Sequence, residues 1–149
     1  MSRILLLLLE EEGLLRAIDW ALFWANIFKA AIKGLIISDR RLFHFGEVDP
    51  LASTASRKKF LAYLEEEESQ KVKKLAEIFS GKVKASGLFY SLETLEGPFE
   101  ENLLGCLRSF KPHLLIWPLS SGKKLVLAGK LYHPQGYLRK IPCKILFVP

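Results

Sequence analysis

The chain predicts an α/β fold: a doubly wound, open parallel sheet with helices on both faces. Three observations predict it. Ile4 to Leu9 is an unbroken apolar run held between Arg3 and Glu10-Glu11-Glu12-Gly13, the pattern of a strand buried on both faces. Segments of helical period alternate with short apolar segments along the chain, the order that builds a parallel sheet through crossovers. At 149 residues, 50% hydrophobic and 26% charged, the composition suits one domain, 1–149, with a real core.

The elements follow in order. Gly13 to Lys33 has helical period: Leu14, Ala17, Ile18, Ala21, Leu22, Ala25 and Phe28 share one face, and Arg16, Asp19, Asn26, Lys29 and Lys33 form a polar stripe. Trp20, Trp24 and Ile27 widen the apolar face beyond what one sheet needs. They are read as a broad core stripe, with a partner contact as the alternative. Gly34 is expected to end this helix. Leu35 to Ser38 then forms a second strand parallel to the first. Residues 39–56 read as a long loop, of the kind that is often functional, with Phe43, His44 and Phe45 packed locally. Arg57 to Ser80 is a second helix capped by Gly81, and its Glu65-Glu66-Glu67-Glu68 run pairs with Lys71, Lys73 and Lys74 on a solvated face.

A third strand is expected over Ala85 to Leu92. Gly97-Pro98 opens a third helix with Phe99, Leu103, Leu104, Leu107 and Phe110 on its buried face, and Lys111-Pro112 stops it. His113 to Trp117 is a fourth strand. Gly129, Pro134 and Gly136 allow at most short helical pieces between Leu125 and Lys140. Pro142 to Pro149 closes the chain as a fifth strand.

Several function classes lose support at this stage. The apolar N-terminus is short and is followed by three glutamates rather than a small-residue cleavage site, so it does not read as a signal peptide. No segment reaches the roughly 18–20 apolar residues that span a bilayer. Cys106 and Cys143 fit reduced, structural thiols, which points to the cytoplasm. The net charge is +6, but the basic residues are scattered in small groups, which disfavours a nucleic-acid stripe. His44, His113 and His133 lie near no cysteine or carboxylate in a ligating or catalytic spacing, so neither a metal site nor a catalytic residue is assigned.

Three stretches resemble the universal stress protein family. Arg3-Ile4-Leu5-Leu6 followed by Ala17-Ile18-Asp19-Trp20-Ala21-Leu22 is similar to the family's first strand and helix. Leu95-Glu96-Gly97-Pro98 leading to Lys111-Pro112-His113-Leu114-Leu115-Ile116 is similar to its third helix and fourth strand. Ile141 to Val148 is similar to its closing strand. The resemblance implies strand order 3-2-1-4-5, with Arg3–Leu9 at the centre. It also implies ATP binding in many members, through an aspartate after strand one and a G-x2-G-x9-G-[ST] loop after strand four, whose glycines let backbone N–H groups approach the phosphates.

This chain departs from that pattern. Leu9 occupies the aspartate position. Pro118, Ser121 and Leu131 occupy the glycine positions, and Tyr132 the hydroxyl position. The usual ATP site is therefore expected to be lost, leaving no cofactor, with a rebuilt ATP site as the alternative. Ser120, Ser121, Gly122, Lys123 and Lys124 remain at the carboxyl end of strand four as a candidate anion loop. The resemblance further implies a homodimer through Lys144, Ile145, Leu146, Phe147 and Val148, an apolar edge strand that would otherwise stand unpaired. The resulting expectation is a dimeric, non-enzymatic regulatory module in stress adaptation. A nucleotide-binding stress protein and a protein-interaction subunit using the aromatic face of the first helix are the alternatives.

Overall fold

The computed structural model describes residues 2–38, 54–118, 125–127, 130–132 and 139–149. The elements are β1 (Arg3–Leu7), α1 (Leu14–Phe28), β2 (Ala31–Ser38), α2 (Thr54–Lys84), β3 (Tyr90–Glu96), α3 (Phe99–Phe110), β4 (Leu114–Pro118), β5 (Leu125–Leu127), β6 (Lys130–Tyr132) and β7 (Lys144–Val148). Five strands form a sheet in the order β3-β2-β1-β4-β7, every pair parallel. This is the 3-2-1-4-5 order that the resemblance implies, with β1 in the middle.

The leucine run is divided by the two-residue period of a strand. Ile4, Leu6 and Leu8 join the core beneath α1 and α2, with Ile18, Ala21, Ala25, Ile36, Leu75 and Phe79. Leu5 and Leu7 join the opposite core beneath α3, with Leu35, Phe99, Leu103, Leu107, Leu115 and Trp117. Burying each of these β1 side chains is worth about 1.5–3 kcal/mol. Polar contacts fix the amino end of β1: Arg3 N–H donates to His113 Nδ1 at 3.1 Å, and Arg3 Nε donates to the Lys111 carbonyl at 3.2 Å. The His113 N–H returns a bond to the Arg3 carbonyl at 2.8 Å.

Several boundaries differ from the expectation, among them the start of the second helix, which is Thr54, inside the expected 39–56 loop, rather than Arg57. The first helix stops at Phe28 rather than running to Lys33, because Lys29 takes a left-handed conformation and Ala30 N–H closes on the Ala25 carbonyl at 2.9 Å. Lys33 and Gly34 therefore lie inside β2. Gly34 is no helix stop; it is a notch for Phe79, whose ring atoms would lie 2.9–3.0 Å from an added Cβ. The second helix passes through Gly81, which faces open space, and continues to Lys84. The third strand is Tyr90–Glu96 rather than Ala85–Leu92, because a turn with Gly87 at φ 75° separates it from α2. Its alternation of Leu92, Thr94 and Glu96 with Glu93 and Leu95 is that of a polar edge strand rather than an apolar run. Between Leu125 and Lys140, where the sequence allows at most short helical pieces, the described residues include two three-residue strands, β5 and β6, paired antiparallel.

Candidate functional site

Ligands of open α/β sheets sit beyond the carboxyl ends of the strands where the winding reverses, here between β1 and β4. Leu8 is buried and donates its N–H to the Leu35 carbonyl at 2.9 Å. Leu9 is half-buried and packs against the α3-side core. Opposite it, β4 ends on buried Trp117 and Pro118. Trp117 meets Phe99 edge-on at 5.8 Å and lies tilted against Phe147 at 6.2 Å. The floor of the crevice is therefore aliphatic and aromatic, with no acceptor on Leu9 for a sugar hydroxyl or a ring N–H. The loop Ser120–Lys124 lies outside the described residues, as do His44, His133 and the 39–53 segment. Leu131 and Tyr132 lie in β6, paired with Val126 and Leu125.

Beside the end of β1 the structure assembles a group that the sequence reading left apart. A cavity of about 610 Å³ is lined by Glu10, Glu11, Glu67 and Glu68 together with Lys71 and Lys74. Ser38, the one buried polar residue of the described chain, donates its Oγ–H to Glu68 Oε1 at 3.0 Å. The Tyr63 hydroxyl donates to Glu67, and this bond and the carboxylate charge push the phenol above its ordinary pKa. Lys74 pairs with Glu11 at 3.0 Å. Glu68 is thus partly buried and structural, not simply solvated as the charge run suggested. The excess of carboxylates makes this mouth unfavourable to a phosphate chain.

The far side of α1 corrects another expectation. Trp20 is 42% exposed, Phe23 51%, Ile27 54% and Phe28 54%, so of the widened stripe only Trp24, partly buried, packs against the core, while Trp20 and Ile27 face outward. Trp20, Phe23, Trp24 and Phe28 form a ladder of rings 5.3–5.9 Å apart. Arg16, Trp20, Trp24 and Phe28 recur every four residues on one line of the helix. At its amino end that line reaches the chain terminus, where Arg16 donates to the Pro149 carbonyl at 3.2 Å.

The two sheet edges are unlike. β3 carries Glu93 and Glu96, with Lys33 of β2 paired to Glu93. β7 carries Ile145, Leu146 and Phe147, each partly buried, and one exposed lysine, Lys144.

The thiols are free. Cys106 is buried on α3, and Cys143 is half-buried just before β7. Burial pushes both thiols above their ordinary range; for Cys106, Lys33 opposes that shift and Glu93 adds to it. Among the described residues no group of histidine, cysteine and carboxylate could hold a metal, and no helix is long and apolar enough to cross a membrane.

Comparison with solved structures places the fold. No protein-family model and no curated protein matches the chain. A universal stress family protein from Burkholderia pseudomallei superposes with a TM-score of 0.66 at 16% identity, covering 99% of this chain and 96% of that one. The universal stress protein UspA from Lactobacillus plantarum gives 0.70 at 14%, covering 99% and 97%. A universal stress family protein from Arabidopsis thaliana, solved with AMP bound, gives 0.63 at 13%, covering 99% and 91%. The fold of this chain is that of the universal stress protein structures over nearly its whole length.

Proposed function

We propose that this chain is a universal-stress-type binding module that does not use the usual ATP site, does not catalyse, and pairs with a second copy through β7. The observation that carries this reading is Leu9. The aspartate position of the resemblance holds an aliphatic side chain committed to the α3-side core, so a nucleotide would meet hydrocarbon there and carboxylates beside it. The apolar β7 edge supports the dimer, since edge pairing would satisfy its outward N–H and C=O groups. The test is an ATP titration followed by thermal unfolding. The expected result is no shift of midpoint up to millimolar ATP with magnesium, whereas saturable stabilisation at micromolar ATP would overturn the reading.

A second reading is a nucleotide-binding stress protein with a rebuilt loop at Ser120–Lys124. It is favoured by the AMP in the Arabidopsis structure of the same fold. In that case the shift would depend on Lys123 and Lys124 and weaken with salt. A third is an interaction subunit, favoured by the exposed Trp20, Phe23 and Ile27.

A further inference from the structure

The end of the sheet away from the nucleotide position holds a second concavity. A groove of about 550 Å³ opens at the amino ends of β1, β4 and β7, beneath the last turns of α1. Its walls are apolar, chiefly Trp24, Phe28, Leu114 and Leu146. Its rim carries Arg3, His113 and Lys144, and among the described residues no aspartate or glutamate lines it. The rim groups are donors. His113 Nδ1 already accepts the Arg3 N–H, which leaves the imidazole proton on Nε2. Lys144 is exposed. The Trp24 indole N–H is buried with no acceptor among the described residues, an unmet demand in a wall that is otherwise hydrocarbon.

We propose that this groove binds an apolar monocarboxylic acid, its hydrocarbon portion against Trp24, Phe28, Leu114 and Leu146 and its carboxylate at the Arg3–His113–Lys144 rim. The commitment to an anionic head follows from charge complementarity: three donors of positive or neutral character and no carboxylate to compete. The commitment to a hydrocarbon body follows from the walls, since apolar surface of this extent is stabilised when an apolar partner displaces water. A carboxylate at the rim would be held by charge-assisted hydrogen bonds. The groove is remote from the carboxyl end of the sheet, so this site does not depend on the ATP reading, but it shares Lys144, Ile145 and Leu146 with the β7 edge and requires that a dimer through that edge leave the groove open.

Decanoate is a suitable probe, titrated calorimetrically below its micelle concentration against the full chain, with decanol and decyltrimethylammonium as controls. The expected result is saturable binding, one decanoate per chain. Decanol should bind at least tenfold more weakly, and the cationic analogue should not bind. Lys144→Glu should weaken decanoate at least fivefold and remove most of its salt dependence. Leu146→Trp, which fills the groove, should abolish binding. Lys144 is exposed, so Lys144→Glu keeps the test decisive if Leu146→Trp fails to fold. Equal affinity for decanol, or no saturable binding, would overturn the proposal. So would sedimentation showing a dimer that excludes decanoate from the groove, which would make a second copy the occupant.

Discussion

At the scale of single residues, Gly34 and Cys106 show how tightly the two cores are specified. An added Cβ at Gly34 would meet Phe79 at 2.9 Å and Leu92 at 3.1 Å, so Gly34→Ala is an overpacking substitution in the middle of the sheet. We expect a loss of about 1–3 kcal/mol, read as a lower midpoint in urea unfolding. Adding Phe79→Leu should recover part of it. Cys106 makes a prediction about pH. Its thiol and that of Cys143 are raised by burial, so the folded chain holds those protons longer than the unfolded one. Their contribution to stability is complete below the ordinary thiol pKa and is lost as pH climbs above it. Alkaline unfolding curves should therefore be steeper for the wild type than for Cys106→Ala, and iodoacetamide should label neither thiol quickly at neutral pH. The absence of a carboxylate at Leu9 was legible in the sequence. The assembly of Glu10 and Glu11 with Glu67 and Glu68 was not, because nothing in a charge run says which of its members will turn toward another strand.

At the scale of elements, the chain shows which sequence signals are firm and which are ambiguous. α3 is read correctly because its signals agree: Gly97-Pro98 at the start, a buried face at helical spacing, and a stop at Lys111-Pro112, where the structure puts Lys111 in a left-handed conformation. The end of α1 is misread because Ala30-Ala31-Ile32 continues the helical period while also fitting a strand. Only the paired strand at Ile4 and Ile32 decides for β2. β3 is misplaced because edge strands give up apolar residues for charges, which weakens the very pattern used to find them. The left-handed Lys29 gives a test at this scale. A β-carbon is strained there, so Lys29→Gly should stabilise the fold by about 0.5–1 kcal/mol, measured by chemical unfolding. If the variant is instead less stable, the lysine side chain is making a contact that outweighs the backbone strain.

At the scale of the whole molecule, the two edges of the sheet differ in what they expose. β3 is guarded by glutamates, while β7 is apolar and flanked on one face by the aromatic line of α1. If β7 pairs with its symmetry mate, sedimentation should show a dimer at micromolar concentration. Ile145→Lys with Phe147→Lys should return it to monomer with little change in helix content. A monomer in the wild type would remove the dimer from the functional reading. The sheet order was legible through the family resemblance, which implies 3-2-1-4-5; the crossovers by themselves make neighbouring strands parallel without fixing that order. The hairpin of β5 and β6 was not, since three-residue strands carry too little pattern. The central strand has one more consequence. Leu5 to Leu9 is a homopolymer, so sliding it by two residues against β2 and β4 would exchange leucine for leucine inside the run and be felt only at its ends, where Arg3 would take the buried place of Leu5 or Glu10 that of Leu8. The interior of the run therefore does not index this sheet; its charged ends do. The polar hooks at its start, Arg3 to His113 and Lys111, and Glu10 at its finish are the two end marks on an otherwise unmarked ruler.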